Sequence, residues 1–140
     1  MQFTVFGEPK AKGRPRFARR GAFISTYTDK DTLAYETLVK FAYLEACANN
    51  PQLLEGEVVL HIDAFFSIPK STSKKKAVLM LIGSVRHTKK PDIDNLCKSI
   101  LDGLNKVAFK DDSQIVCLVA NKFYSDTPRV EITIEASENM

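Results

Sequence analysis

The sequence predicts one α+β domain over residues 1–140, with a mainly antiparallel or mixed four-stranded sheet packed by two to three helices. Four apolar alternations indicate the strands, and apolar residues at helical spacing indicate the helices. The length of 140 residues is ordinary for one domain. A hydrophobic fraction of 44% with 26% charged residues is typical of a folded chain.

The first half of the chain is predicted to contain two strands and one helix. Phe3 and Val5 indicate a short first strand that ends at the turn signal from Gly7 to Pro9. The stretch from Lys10 to Tyr27 is basic, contains glycine and Pro15, and predicts a loop or an irregular ribbon. A helix is predicted over about residues 31–48, with an apolar face formed by Leu33, Leu38, Phe41 and Leu44. The second strand is predicted over residues 57–67, where apolar residues alternate.

The second half predicts two helices followed by two strands. Ser73 can cap a short helix that ends at Gly83, and three lysines in its first turn indicate an external anion. A longer helix is predicted over residues 92–108, with a buried stripe of Leu96, Cys97, Ile100, Leu101, Leu104 and Ala108. The last strands are predicted over residues 114–124 and 129–134, separated by the turn SDTP.

The positive charge is concentrated in two segments, although the net charge is only +3. They contain 13 of the 20 Lys and Arg residues: Lys10, Lys12, Arg14, Arg16, Arg19 and Arg20, then Lys70, Lys74, Lys75, Lys76, Arg86, Lys89 and Lys90. Lysine runs are often ordinary solvated surface. Clustering in two places favours a nucleic-acid partner instead.

The cysteines and the hydropathy profile predict the environment of the protein. Cys47, Cys97 and Cys117 form no CxxC pair and lie in apolar patterns, which suits free buried thiols in a reducing cytoplasm. The sequence has no apolar stretch long enough to cross a bilayer. We therefore expect a cytoplasmic protein of a bacterial or phage-infected cell, with no membrane partner, small-molecule cofactor or structural zinc.

Aspartates occur at the start of the predicted long helix and again shortly after its end. Asp92 and Asp94 lie at its start, and Asp111 and Asp112 immediately precede a strand. If that strand lies beside the start of the helix, three or four carboxylates converge, and their repulsion requires a cation such as Mg²⁺. Lys98, one turn after Asp94, would then face charge that develops on a phosphodiester.

Simpler roles exist for each of these residues. An aspartate at a helix start can be an N-cap, Lys98 can form a salt bridge within its helix, and DDS can be an ordinary turn. The two histidines are candidates for a general base. His61 lies within a strand, and His87 lies in a basic loop where contact with DNA is the more plausible role. Neither has the spacing of a metal ligand.

The residues KPDIDNLCKSILDGLN and FKDDSQI resemble the signature of the RusA family of Holliday junction resolvases. The family pattern is D-x-D-N-L-x-K, then D-x-L, then D-D-x-Q-[IV], and every part is present. PKAKGRPRFA and YTDK also resemble the basic N-terminal region and the aromatic-Thr element of the family. The resemblance therefore covers most of the chain.

The resemblance implies a crossover junction endodeoxyribonuclease that uses Mg²⁺ or Mn²⁺ and nicks two strands symmetrically as a homodimer. Its catalytic residues are Asp92, Asp94, Lys98 and Asp112, and its metal ligands are Asp92, Asp94, Asp112 and, as a supporter, Asp111. Asn95 and Asp102 also match positions of the family pattern. Asn95 would bind a ligand or a phosphate, whereas Asp102 would orient Lys98 or lie on a solvated face.

A four-way junction has approximate two-fold symmetry, so two symmetric cuts require two sites related by that symmetry. Basic loops would contact the arms through phosphates. Phe17, Phe23 and Tyr27 either pack in the core or enter the junction centre. Two alternatives stay open: a nuclease for flaps, duplexes or RNA, and a non-catalytic DNA-binding module with a structural acidic cluster.

Overall fold

The computed structural model describes the backbone of residues 1–11, 16–20, 23–27 and 30–137, with side chains for residues 1–11 and 33–137. In chain order its elements are β1 (Gln2–Phe6), β2 (Arg16–Arg20), β3 (Phe23–Tyr27), α1 (Lys30–Ala46), β4 (Val58–Ser67), α2 (Lys74–Leu81), α3 (Ile93–Leu104), a 3-10 turn (Asp112–Gln114), β5 (Ile115–Ser125) and β6 (Arg129–Ala136). The α+β fold class is confirmed.

The main sheet is mixed and has the strand order β1-β6-β4-β5. β6 runs antiparallel to both β1 and β4, whereas β4 and β5 are parallel. A parallel pair requires a long crossover connection, and here it contains α2 and α3. This crossover makes β5 an edge strand and brings the start of α3 close to β5.

The core lies between one face of the sheet and the helices α1 and α3. Alternate residues of β4 are buried from Val58 to Phe66, as the sequence predicts. The apolar stripe of α3 is also confirmed, because Leu96, Ile100 and Leu104 are fully buried. Apolar burial on this scale is the main stabilising term of the fold.

Helix α3 ends at Leu104 and not at the predicted residue 108. Asn105 leaves the helix with extended backbone, and Lys106 has a φ of 66°. A positive φ cannot continue a right-handed helix. Ala108 is nevertheless buried, because the chain folds back and the amide of Leu54 donates to its carbonyl.

The predicted apolar face of α1 is wrong. Leu33, Leu38 and Phe41 are exposed, and the buried face consists of Tyr35, Val39 and Tyr43. The tyrosine face packs on α3 and β1, where the rings of Phe3 and Tyr43 meet edge to face at 5.5 Å between centroids. Both faces of the helix carry apolar residues, so the spacing of apolar residues does not indicate which face is buried.

The predicted loop from Lys10 to Tyr27 contains a hairpin. Its strands β2 and β3 pair antiparallel, with Phe17 opposite Thr26 and Ala18 opposite Ser25. Strand pairing depends on backbone hydrogen bonds and does not require apolar and polar residues to alternate. The basic sequence therefore gave no indication of the hairpin. The side chains of Phe17, Phe23 and Tyr27, and the positions Lys12 and Arg14, lie outside the part of the chain that the structure describes.

The three cysteines are free, as predicted, but differ in burial. Cys97 is buried and Cys47 is half-buried, whereas Cys117 is exposed. The prediction of three buried thiols is therefore wrong for Cys117, because β5 has no strand pairing beyond β4 among the described residues. No helix within the described ranges is long and apolar enough to span a membrane.

Candidate active site

The start of α3 presents two carboxylates and one ammonium group to solvent. Asp92 is the N-cap residue by its backbone angles, but its side chain makes no capping hydrogen bond. Asp94 lies in the first turn and Lys98 one turn later, and all three residues are exposed. The simple capping role considered for Asp92 is therefore not what its carboxylate does.

Asp112 joins Asp94 and Lys98 in one open cavity of about 590 Å³ between α3 and β5. We call this cavity the acidic cleft. Its other walls are formed by Ile93, Cys97, Leu101, Leu118 and Ala120. Burial raises the pKa of the Cys97 thiol, and the nearby Asp94 carboxylate adds to this effect. The cleft thus brings together three of the four predicted catalytic residues.

Gln114 positions the loop that carries Asp112. Its Oε1 accepts hydrogen bonds from the amides of Lys110 and Asp111, at 2.9 and 3.1 Å. Its Nε2 donates to the carbonyls of Leu54 and Gly56, at 2.9 and 3.1 Å. One side chain therefore ties the acidic loop to the segment before β4, and this explains the glutamine of the D-D-x-Q pattern physically.

Asp111 performs a local structural task. Its Oδ2 accepts from the amide of Ser113 at 3.1 Å and caps the 3-10 turn. The hydrogen bonds from Ser113 lower the pKa of this carboxyl group. Asp111 is absent from the residues that line the acidic cleft, whereas Asp112 is present. The role of Asp111 as a supporting metal ligand stays a prediction.

Asp92 and Asn95 face a neighbouring cavity of about 630 Å³, which is also lined by Lys10 and Lys90. Lys122 lies next to this cavity, with its Nζ donating to the carbonyls of Lys89 and Pro91 at 2.7 Å each. Burial lowers the pKa of Lys122, and the charge of Asp92 opposes that shift. Asp92 therefore lines a cavity together with cations.

The described residues contain no group of three or more His, Cys, Asp or Glu side chains that could hold a metal ion. A smaller set is still compatible with Mg²⁺, which commonly takes one or two carboxylates and retains waters or phosphate oxygens. Asp94 and Asp112 supply two carboxylates in one cleft. The donor set therefore fits Mg²⁺, while the metal role of Asp92 stays a prediction.

A basic cavity of about 310 Å³ lies between the start of α2 and the loop before α3. Among its lining residues are three cations and five residues with hydroxyl groups: Lys76, Arg86, Lys89, Ser71, Thr72, Ser73, Thr88 and Tyr124. None of the described residues that line it is acidic. Lys74, Lys75 and Lys90 are exposed nearby in the chain. This basic cavity has the chemistry of an anion-binding surface.

Arg86 is held in place within the basic cavity. Its Nε donates to the carbonyl of Lys122 at 2.8 Å, and its Nη2 donates to Oδ1 of Asn121 at 3.3 Å. Its guanidinium lies 4.2 Å from the centroid of the Phe123 ring. The side chain is thus preorganised before any ligand binds.

The two histidines lie away from the acidic cleft. His87 stacks on Phe66 at 3.8 Å between ring centroids and meets Tyr124 edge to face at 5.3 Å. Burial lowers the pKa of His87, and Lys122 and Lys89 add to this effect. His61 is exposed, with Nε2 3.1 Å from Asp63 Oδ1. Contact of His87 with DNA stays a prediction, since its ring is used in packing.

Sequence reasoning missed three residues that organise this region. Gln114 and Lys122 are described above, and Ser99 is fully buried with its hydroxyl 2.7 Å from the carbonyls of both Lys10 and Leu96. Ser99 thereby fixes the basic N-terminal segment against α3. Gln114 could have been identified, because it is part of the D-D-x-Q pattern. Ser99 and Lys122 bind carbonyl groups that are distant in sequence, so no sequence pattern indicates their roles.

The fold and the site define a class of protein: an α+β chain with a cleft of carboxylates and lysine and a separate basic cavity, as is typical of nucleases. The family model described as "Endodeoxyribonuclease RusA" matches residues 7–135. The chain belongs to this family of endodeoxyribonucleases, whose substrate is DNA. The resemblance predicted from the D-x-D-N-L-x-K and D-D-x-Q elements is confirmed.

Two relatives illustrate the range of similarity. The chain is 39% identical over 137 residues to "Uncharacterized protein YqaN" of Bacillus subtilis (strain 168), which covers 96% of this chain and 94% of that protein. It is 46% identical over 48 residues to "Crossover junction endodeoxyribonuclease rusA" of Lactococcus phage r1t. The second match covers 34% of this chain and 37% of that protein.

Proposed function

We propose that the protein is a Holliday junction resolvase, a structure-specific endonuclease that nicks symmetric strands of four-way DNA junctions with Mg²⁺. The observation that carries the proposal is the acidic cleft, in which Asp94 and Lys98 of α3 meet Asp112 of the 3-10 turn. Family membership supports hydrolysis of DNA. The match to the phage crossover junction enzyme supports the junction as substrate.

Each charged residue of the cleft has a distinct proposed role. Asp94 and Asp112 would hold Mg²⁺, with Mn²⁺ as a substitute, and the metal when bound would supply a Lewis acid at the scissile phosphate. Lys98 places an ammonium group in the same cleft. Its charge stabilises the additional negative charge that a phosphodiester gains as it is attacked. Asp92 would complete the catalytic set from the neighbouring cavity.

DNA would be held by the two basic segments and by the basic cavity. Lys76, Arg86 and Lys89 line that cavity together with hydroxyl groups, which donate hydrogen bonds to phosphate oxygens. Asn95 and Lys10 line the cavity that Asp92 faces. We propose a homodimer, because two symmetric nicks in a junction require two sites related by a two-fold axis.

A cleavage assay tests the proposed function. A synthetic four-way junction, a matched duplex and a flap are incubated with protein and Mg²⁺, and products are resolved on denaturing gels. We expect paired symmetric nicks in the junction, no cleavage of the duplex or flap, and no product when EDTA removes the metal. Preferential cleavage of the flap or duplex would assign a different nuclease function, and no cleavage would favour a binding module.

Asp94→Asn tests the active-site assignment. We expect the variant to bind the junction with wild-type affinity and to lose cleavage at least about 100-fold, because the ligand charge is removed while the basic residues remain. Gel-shift binding in EDTA and single-turnover cleavage in Mg²⁺ measure the two properties. Asp126→Asn, in the exposed turn between β5 and β6, is the matched control and should cut normally.

A further inference from the structure

The outer face of the main sheet, whose side chains alternate with the buried residues of β4, carries a row of stacked groups. Arg129, Phe65 and Phe123 occupy paired positions of β6, β4 and β5. The guanidinium of Arg129 lies 4.0 Å from the centroid of the Phe65 ring, and Phe65 stacks on Phe123 at 5.3 Å between centroids. The guanidinium of Arg86 ends the row at 4.2 Å from the Phe123 ring. Arg86, which lies in the loop between α2 and α3, is thus stacked against the sheet.

A chain of hydrogen bonds runs beside this row and ends on the same arginine. The Nε2 of His61 lies 3.1 Å from Oδ1 of Asp63, and Nδ2 of Asn121 donates to the same oxygen at 3.1 Å. This bond orients the amide of Asn121, so that its Oδ1 accepts from Nη2 of Arg86 at 3.3 Å. The Nε of Arg86 donates to the carbonyl of Lys122 at 2.8 Å. One ring and two acceptors therefore fix a guanidinium whose residue is exposed.

These contacts leave the outer edge of the Arg86 guanidinium available to a ligand. A guanidinium group has five N–H donors in one plane. The protein uses the Nε donor and one Nη2 donor, which share an edge of that plane. No described residue accepts from the other three donors, and two of them, one on each Nη atom, point outward in parallel. Two parallel donors match two oxygens of one phosphate group.

We infer that the outer edge of Arg86 binds one DNA phosphate through two hydrogen bonds, and that Asn121 and Phe123 are positioning residues for this contact. The inference rests on DNA binding in the proposed function and names one phosphate subsite of the basic cavity. Lys76 and Lys89 line that cavity with Arg86. A guanine base also accepts two parallel donors, but neighbouring cations favour the charged phosphate.

The positioning roles follow from conformational entropy. A free arginine side chain loses rotamer freedom when it binds a ligand. Here the ring of Phe123 and the amide of Asn121 hold Arg86 before DNA arrives, so that less freedom is lost on binding. Neither residue carries a charge, and each acts on the phosphate only through Arg86. Their loss should therefore weaken DNA binding without changing the number of charges that contact DNA.

Salt titrations of DNA affinity test the phosphate contact. Affinities for a four-way junction and a duplex are measured in EDTA, from about 50 to 300 mM salt. We expect Arg86→Ala to weaken binding and to reduce the slope of log affinity against log salt concentration by about 0.9 in magnitude. Arg86→Lys should keep the slope but bind about 5-fold to 10-fold more weakly, because lysine has the charge without the paired donors. An unchanged slope for Arg86→Ala, or wild-type affinity for Arg86→Lys, would overturn the contact.

Double-mutant cycles test the positioning roles. Asn121→Ala and Phe123→Leu should keep the wild-type slope and weaken binding about 3-fold to 10-fold. In an Arg86→Ala background the same substitutions should have no further effect, because the residue that they hold is absent. Phe123→Tyr should restore wild-type affinity, since tyrosine also offers a ring face to the guanidinium. Thr133→Ala, opposite His61 on β6, is the matched control and should bind normally.

Losses that add in the double-mutant cycle would show that Asn121 and Phe123 act independently of Arg86, which would overturn their positioning roles. A phosphate contact gives the same loss for Arg86→Lys on DNA of any sequence. A loss that depends on base sequence would instead assign the donors to guanine and overturn the phosphate subsite.

Binding in EDTA requires no cleavage, so the subsite and the proposed function fail separately. A protein that shows the expected effects at Arg86 but cuts no junction would refute the resolvase function and leave the subsite standing. A protein that cuts junctions in Mg²⁺, and whose Arg86→Lys variant binds DNA with wild-type affinity, would refute the subsite and leave the function standing.

Discussion

Lys98 is one helical turn beyond Asp94, and both residues line the cleft that contains Asp112. Two local features bring these residues together: the spacing of Asp94 and Lys98 within α3, and the conformation of the loop that carries Asp112. The spacing places Asp94 and Lys98 on one side of α3. The glutamine in the acidic loop then fixes that loop by four hydrogen bonds to backbone groups.

The role of Lys98 is tested by Lys98→Ala. We expect single-turnover junction cleavage to fall about 100-fold to 1,000-fold, the usual effect of removing one preorganised group that stabilises transition-state charge. Junction affinity in EDTA should stay within about 2-fold, because the basic cavity is unchanged. Lys40→Ala, an exposed lysine of α1, is the matched control and should cut normally. Equal cleavage by both variants would contradict the assignment.

Much of the candidate site could be predicted from the sequence, because its residues lie close together in the sequence, between positions 92 and 114. Asp94, Lys98 and Asp112 were identified from spacing and charge, and the structure brings them together. Ser99 and Lys122 could not be identified, since their partners are carbonyls brought close by the fold. A hydrogen bond to a distant carbonyl leaves no pattern in the sequence.

His87 predicts a pH dependence of stability. Burial lowers its pKa below the usual value of about 6.5, helped by Lys122 and Lys89 and opposed by Glu8. The unfolded chain therefore binds the proton more strongly. The stability that neutral His87 contributes is complete above the pKa that this histidine has in the unfolded chain. It is lost as the pH falls through the lower pKa that it has in the folded protein.

The measurement compares melting temperatures of the wild type and His87→Phe between pH 7.5 and 5. Phenylalanine retains the stacking on Phe66 but cannot be protonated. We expect the wild-type melting temperature to fall more steeply on acidification than that of the variant. Parallel curves for the two proteins would show that His87 does not contribute to the pH dependence.

At the scale of elements, the crossing of α1 and α3 depends on a close contact at Gly103. A Cβ added to Gly103 would lie 2.8 Å from the carbonyl oxygen of Glu36 and 2.8 Å from Cβ of Val39. Backbone cannot move aside as a flexible side chain can. The small residue therefore sets how closely the two helices approach, and with it the position of α3 against the sheet.

Gly103→Ala is expected to destabilise the protein despite the better helix propensity of alanine. The gain in propensity is about 1 kcal/mol, whereas forcing an extra methyl group into a packed contact costs about 1 to 3 kcal/mol. Because one of the contacts is with backbone, we expect a cost of about 2 to 3 kcal/mol and hence a net loss of about 1 to 2 kcal/mol in the free energy of unfolding by urea. Glu45→Ala, at an exposed position of α1, should change it by less than about 0.5 kcal/mol.

The elements also show why prediction succeeded in some places and failed in others. β4 was predicted well, because one face is buried and the alternation is regular. The face of α1 was predicted wrongly, because Leu38 and Phe41 are as apolar as the tyrosines that are buried. Which of two apolar faces packs inward depends on the neighbouring helix, and this information is not local.

At the scale of the whole molecule, charge is separated into an acidic cleft and a basic surface. Asp94 and Asp112 lie in the cleft, while the basic cavity contains Lys76, Arg86 and Lys89. A polyanion would be attracted by the basic surface and repelled by the unmetallated cleft. The proposed function therefore predicts that binding and cleavage depend on different residues and are separable by substitution.

Salt dependence tests this separation. Each lysine that contacts a phosphate releases counterions, so its loss should reduce the slope of log affinity against log salt concentration by about 0.9 in magnitude. We expect this reduction for Lys76→Ala and for Lys89→Ala, and about twice the reduction for the double variant. Junction affinity, measured in EDTA from 50 to 300 mM salt, should fall with each substitution.

Lys40→Ala, on α1 and outside the basic cavity, is the matched control and should keep the wild-type slope. Saturating concentrations of the Lys76 and Lys89 variants should still cut the bound junction at the wild-type rate, because the acidic cleft is unchanged. An unaltered slope would show that DNA does not contact the basic cavity. A normal slope reduction with a slowed bound rate would instead show that these lysines also position the scissile phosphate in the cleft.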